Sequence, residues 1–507
     1  MKKILILAVV IFSMASAITD AQIASIAAGN WSNIETWGGG VVPAATDDVV
    51  ISAGNTVTVD VDNAECKNLS IDGTMTFPDV EARSITVNGS VIIGATGKFN
   101  TYSSGSPTAL RNQKITIMED LTVTTGGIID MRRGSNPNVG IGTIEFAGSV
   151  TSNISLSQTS YGSSIEEFNG ITINKTGGAK VILKTGNLYM SNNTSTGPTY
   201  LTFISGMIET EGTSVWGYMT TNTVGIVGTS SSSFVKGNLG RGMSNSAGAT
   251  RIFYVGDDEG FRPITLRSST PQGATGAMLI VTSVLGDANN SSTFVGGIDK
   301  VSEVRYFKVR YYKGASGAAS LTLDSLAISY GLSDGVSPGN INLRAAYSTD
   351  ERATWTAVQQ TEPYVTETSD TSRVGGDMLS PGITLTDGQI IYLALARVSG
   401  TTENSLSGLV HAVEKENGIP SFFMLDQNYP NPFNPSTKIN FSVPLSGIVR
   451  LSIYNALGQT IEILVDEFLD AGSYHVNFDA GKLTSGIYYY QIQANGYSQT
   501  KKMSLVK

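Results

Sequence analysis

Ser84-Ile85-Thr86-Val87, Lys114-Ile115-Thr116-Ile117, Thr143-Ile144-Glu145-Phe146, Gly170-Ile171-Thr172-Ile173 and Tyr200-Leu201-Thr202-Phe203 recur at steps of 30, 29, 27 and 30 residues. In these segments apolar residues alternate with Thr, Glu or Lys, the period-2 signature of a strand with one buried face. Two further short strands follow in several units: Val91 to Ile93 then Phe99, Leu121 to Val123 then Ile128 and Ile129, Val181 to Leu183 then Leu188 to Met190. A lone unit of this size cannot bury its apolar face, whereas stacked units can. Three strands per near-constant repeat is the requirement of a parallel β-helix, each rung hydrogen-bonding to the next. The competing reading is an antiparallel sandwich whose spacing is coincidental.

Working upstream, Gly29-Asn30-Trp31 leads through Trp37 and Pro43 to Asp47-Asp48 and the strands Val49-Val50-Ile51 and Val57-Thr58-Val59. The first rung of a solenoid exposes unpaired backbone groups that invite edge association, so bulky aromatics at the open end read as a cap. The alternative is that Trp31 and Trp37 stack on sugar rings. These first rungs resemble those of secreted β-helix surface proteins of Gram-negative bacteria. Ahead of them, Lys2 and Lys3, the apolar run Ile4 to Phe12 and the small residues Ala15-Ser16-Ala17 read as a secretory signal peptide over residues 1–21. Cleavage is expected after Ala17 or Ala21, and no Cys follows either to accept a lipid. The apolar run falls short of the ~20 residues of a spanning helix, and no transmembrane segment is expected elsewhere.

Downstream, strand-like runs lengthen, as in Arg305-Tyr306-Phe307-Lys308-Val309-Arg310-Tyr311 and Leu321-Thr322-Leu323-Asp324-Ser325-Leu326. Such runs, separated by Gly, Asn, Asp and Ser, predict a β-sandwich over 226–398 after a β-helix over 22–225. Phe253-Tyr254-Val255-Gly256 followed by Phe261-Arg262-Pro263-Ile264 resembles a module found between repeats and export tail in large secreted surface proteins. Residues 399–421 lose apolar periodicity and read as a linker.

The last segment, 422–507, opens on Tyr429-Pro430-Asn431-Pro432-Phe433-Asn434-Pro435-Ser436-Thr437, three prolines in nine residues, which enforces an extended entry. Short alternating strands follow, divided by Leu457-Gly458-Gln459 and Ser485-Gly486, as in a small immunoglobulin-like β-sandwich. With Gly486-Ile487-Tyr488-Tyr489 and the closing Lys501-Lys502-Met503-Ser504-Leu505-Val506-Lys507, the segment closely resembles the type A C-terminal sorting domain of the type IX secretion system. The resemblance implies export through the inner membrane by the signal peptide, then passage across the outer membrane by machinery that reads this domain. It also implies release or attachment to surface lipopolysaccharide, and a sorting signal comprising Tyr429, Pro430, Asn431, Pro432, Gly458, Gly486, Tyr488, Lys501, Lys502 and Lys507. The expected fold is therefore all-β: a right-handed parallel β-helix, a β-sandwich, a linker and a sorting domain.

Composition narrows the chemistry. The 507-residue chain carries a net charge of -9 with only 15% charged residues, against a usual ~25%, and no basic clusters of the kind that bind nucleic acid. Gly at 56 residues fits a turn-rich β protein. Cys66 is the single cysteine and excludes an intramolecular disulfide. His411 and His475 are the only histidines, so imidazole-dependent triads and HExxH zinc sites are excluded from residues 22 to 410. Carboxylate chemistry on sugars survives, with Asp130, Arg132 and Arg133 after a strand as candidate catalytic residues. Calcium is left open as a cofactor, with Asp60 and Asp62 beside Asn63, or Asp257 and Asp258 beside Glu259, as oxygen ligands, although neither run completes a calcium loop. The expected function is an exported binding or structural protein of adhesin type with a polysaccharide or cell-surface ligand. The alternative is a carbohydrate-active enzyme, a lyase or hydrolase built on the β-helix.

Overall fold

The computed structural model describes residues 22–507 apart from 79–80, 102–111, 132–141, 160–165, 191–199, 220–224, 244–248, 270–276, 290, 315–317, 331–333, 337–341, 359–371, 378–381, 402–403, 408–413, 417–419, 421, 446, 470 and 495–496. The expected signal peptide, Arg132, Arg133 and His411 lie outside the described residues.

The repeated triplets stack as anticipated. Ile85, Ile115, Ile144, Ile171 and Leu201 align rung on rung in parallel register, as do Val87, Ile117, Phe146, Ile173 and Phe203. All ten side chains are buried, while Thr86, Thr116, Thr172 and Thr202 between them point outward. β-Branched residues suit this geometry because their restricted χ1 packs well on a pleated surface.

Three faces result, visited in turn by the chain. The first runs from Gln22–Ala24 through Asp48–Ile51, Leu69–Ile71 and Val91–Ile93 to Val255–Asp257, and is closed by Gly260–Phe261. The second begins with Gly29–Asn30 and Thr56–Thr58 and reaches Glu166–Glu167. A parallel bridge from Phe168 to Met190 carries it on to Leu188–Met190, Trp216–Tyr218 and Leu239–Gly242. The third holds the triplets, from Ala64–Cys66 to Ile226–Val227. Corners between faces are tight: at Gly97 an added Cβ would lie 1.9 Å from the Ile71 carbonyl oxygen, and Gly126 holds φ at +97°, a combination only glycine tolerates.

The open end is covered by the tryptophans. Trp31 and Trp37 meet edge to face at 4.9 Å, Trp37 Nε1 donates to the Trp31 carbonyl at 2.8 Å, and the two rings are 1% and 0% exposed. Neither offers a face to a sugar ring, so the capping reading is the one the geometry supports.

The second face does not stop where the parallel rungs end. Leu239–Gly242 pairs antiparallel with Met278–Leu285, which pairs with Arg305–Tyr312 and thence with Ile390–Val398 and Leu343–Ser348. A second antiparallel sheet, from Ala249–Phe253 through Ile264–Ser268 to Ser320–Tyr330, packs against it, and one continuous apolar core runs from Ile23 to Leu406. Leu406 comes from the stretch read as a linker, and Glu414–Glu416 from the same stretch adds an edge strand to the C-terminal sandwich. That sandwich has two four-stranded sheets and a core of its own around Phe433, Phe441, Val476 and Tyr490.

Candidate functional site

In the C-terminal sandwich the proline-rich entry and the final strand form a single surface. Asn428 is 2% exposed; its backbone N–H donates to the Tyr490 hydroxyl at 2.8 Å, and its Nδ2 donates to the Pro430 carbonyl at 3.1 Å and Thr437 Oγ1 at 3.0 Å. Asn431 Oδ1 accepts from the Ser504 backbone N–H at 2.9 Å. Phe433 is clasped by the last strand, its N–H donating to the Ser504 carbonyl at 2.9 Å and its carbonyl accepting from Val506 N–H at 3.0 Å. With Phe433 buried against Phe478 and Thr437 buried beside Asn428, Tyr429 is turned out, 82% exposed, and Pro430, Asn431, Pro432 and, on the final strand, Lys502 are also exposed.

The other expected signal residues distribute around this surface. Tyr488 is buried, its hydroxyl donating to the Thr484 carbonyl at 2.9 Å. Gly486 begins a strand and pairs with Leu505 at the end of the neighbouring one, close to Lys507, whose N–H donates to Ser485 Oγ at 3.0 Å and whose Nζ donates to the Gly481 carbonyl at 2.7 Å. Lys501 stands opposite Tyr490. Gly458, with φ at +78°, closes a turn capped by Asn455 Oδ1.

Residues 427–506 match the family model of the secretion system C-terminal sorting domain. The chain is a β-helix protein with a type IX sorting tail. The sorting tail directs it to the cell surface or the extracellular space by way of the type IX machinery. Residues 36–154, the first rungs of the solenoid, match the family model of the G8 domain, a likeness that nothing in the spacing of the triplets distinguishes from other stacked β units. No curated protein and no solved structure matches the chain. No helix among the described residues is long and apolar enough to cross a membrane.

The solenoid's expected site residues separate. Asp130 ends the strand Ile128–Asp130 on the second face, is buried, and stands in register with Asn100 on the preceding rung and Glu167 on the following one. Asp60 accepts from Ser32, at 3.0 Å from its N–H and 2.6 Å from its hydroxyl, while Asp62 turns to Arg83 at 3.3 Å. Asn63 between them and the next strand holds φ at 57°, as a turn residue does. Asp257 and Asp258 likewise diverge, one inward and one to Lys236 at the surface. Among the described residues no three His, Cys, Asp or Glu side chains gather as metal ligands.

Asp257 instead belongs to a buried ionic network where solenoid meets sandwich. Arg305, 1% exposed, reaches Asp257 at 2.5 Å, Glu259 at 3.1 Å and Asp334. Arg262 joins Asp334 at 2.8 Å, and Ser283 Oγ donates to Asp257 at 2.5 Å. Burial works against the Arg305 charge, but Asp334 and Asp257 outweigh it and hold the guanidinium charged above its ordinary range. The sequence carried a signal for this: Arg305 lies in phase with Phe307, Val309 and Tyr311, all buried. Lys175 is a second inward cation, in phase with Ile171 and Ile173 and 1% exposed. Its Nζ donates to the carbonyls of Met118, at 2.8 Å, and Ala147. Burial pushes its amine down to about 8, with Asp120 and Glu119 pulling the other way. A crevice of about 470 Å³ beside it is lined by Lys180, Lys236, Ser231 and Ser232, yet Lys180 is held by Glu209 and Lys236 by Asp258. Its cations are already engaged.

Proposed function

We propose that this is an adhesin-like binding and structural protein, displayed on the cell surface or secreted after type IX machinery carries it across the outer membrane. The observation that carries the reading is the sorting tail, whose proline entry and terminal strand are bonded into one exposed surface ready to be read. A solenoid suits the remainder of the role. Its third face sets Thr86, Thr116, Thr172 and Thr202 in register, on either side of a buried Glu145 held by Lys114 and Asn174, at the ~4.8 Å strand spacing. Repeated polar contacts of that kind favour a polymer or a neighbouring surface through multivalency rather than a single reacting centre.

Export is tested in the chain's own host. A chain lacking residues 422–507 is expected to stay in the periplasm, and one lacking Met1 to Ala17 in the cytoplasm. Normal surface display of the first truncation overturns the reading. Binding is tested by adding purified residues 22–507 to host cells and to immobilised polysaccharides. The same preparation, incubated with acidic and neutral glycans and calcium, is expected to release neither reducing ends nor unsaturated products. Turnover that disappears in Asp130→Ala or Arg132→Ala would establish a carbohydrate-active enzyme instead.

A further inference from the structure

The second face bears a crevice of about 300 Å³ on its outer side, where parallel rungs give way to antiparallel strands. Leu188, Trp216, Leu239 and Val281 point from these strands into the main core, whereas Tyr189, Val215, Met278 and Ile280 form a separate small apolar cluster on the opposite side. One row crosses the sheet in register: Tyr189, Gly217, Gly240, Ile280 and Arg310. The two glycines make room for neighbouring side chains, which form the floor of the crevice. The Tyr189 ring lies over Gly217, 2.5 Å from where a Cβ would stand, and Met278 Sδ lies over Gly240, at 2.9 Å.

The crevice has an apolar floor that includes Tyr189, a second tyrosine, Tyr312, and one cation. Tyr189 is held in place by burial and by a side-chain hydrogen bond with Asn187. Asn187 is itself fixed, donating to the Thr159 carbonyl at 2.6 Å and accepting from Val215 N–H at 2.8 Å. Tyr312 lines the crevice on the same strand as Arg310 and packs against the Tyr189 cluster. The Arg310 side chain enters no ion pair or hydrogen bond among the described residues, unlike the lysines of the larger crevice. A planar guanidinium matches a carboxylate with two parallel hydrogen bonds, and tyrosine rings offer an apolar face with a polar edge. The volume is at the small end of ligand sites, enough for about one or two sugar rings.

We propose that this crevice binds an acidic sugar unit of a glycan, with the sugar carboxylate on Arg310 and the sugar ring against Tyr312. The inference rests on the binding-protein reading and assigns it a site. Because the chain as a whole is acidic, at -9, its overall field repels polyanions, so recognition depends on this one local cation.

The test is calorimetric titration of residues 22–507 with short oligogalacturonates, with the same oligomers methyl-esterified, and with sialyllactose, the last to separate a uronic from a sialic acid source. Saturable binding of at least one acid is expected, at least tenfold weaker for the ester where the uronate binds, and weakened by added salt. Arg310→Gln and Tyr312→Ala are expected to lose at least tenfold with thermal midpoints unchanged, Arg310→Lys to fall in between, and Lys308→Gln, outside the crevice on the same strand, to bind as the unaltered chain does. Binding of neither acid, equal binding of acid and ester where the uronate is the ligand, or undiminished binding by Arg310→Gln would each overturn the crevice. If cells or neutral polysaccharides still bind in those cases, the adhesin reading stands and only the site assignment falls.

Discussion

Ile171, Ile173 and Lys175 share one phase of one strand, so the lysine is buried along with the isoleucines it follows. The consequence is measurable. Its folded-state value of about 8 lies below its ordinary 10.5, so between those pH values the unfolded chain holds a proton that the folded chain has released. Stability therefore carries the full cost of the buried charge below pH 8 and regains it as pH rises towards 10.5. Urea midpoints at pH 7 to 10.5 should show this rise in the native sequence and not in Lys175→Met; equal pH profiles would refute it. The same alternation separates neighbours on the third face. Ile117→Asp places an unpaired charge in the core and should cost several kcal/mol, whereas Thr116→Asp, half-buried and outward, should cost under about 1 kcal/mol. Similar urea midpoints for the two variants would contradict the inward and outward assignment.

Among the elements, the clamp in the sorting tail is organised by Asn428, which is buried and bonded to Tyr490, Pro430 and Thr437. Asn428→Ala would remove both side-chain bonds, leaving the Pro430 carbonyl with the Thr437 hydroxyl alone, while the backbone bond to Tyr490 stays. It should cost the tail about 1–3 kcal/mol and lower surface display in the host, while the thermal transition of the remainder stays in place. Undiminished display would show that the machinery does not need the clamp. The Trp31–Trp37 cap illustrates a different division. Bulky aromatics at an open end were legible as a cover for unpaired edges, but their edge-to-face contact and the Trp37 Nε1 bond depend on how Ile34–Thr36 turns the chain back.

At the scale of the whole molecule, one core spans solenoid and sandwich and a second belongs to the tail. Calorimetry should accordingly show two transitions, of which removal of residues 422–507 abolishes one and leaves the other unshifted. A single transition lost on truncation would mean that the cores are coupled. Arg305→Gln should lower the larger transition, costing about 3–5 kcal/mol, because Asp257 remains buried without its cation and Asp334 keeps only Arg262.

By itself the sequence determined the stacked units, their inward residues and the sorting tail. These rest on short-range alternation, on a repeat near 30 residues and on motifs contiguous in the chain, so each can be read where it stands. Only the tertiary structure decided the rest. Arg305 could be marked as a buried cation by its phase, but its partners Asp257 and Asp334 lie 48 and 29 residues away. Likewise, Tyr189, Gly217, Gly240 and Arg310 become neighbours only because the second face continues across the junction. Strand order is chosen by the burial of whole sheets, a collective free energy that no local stretch records.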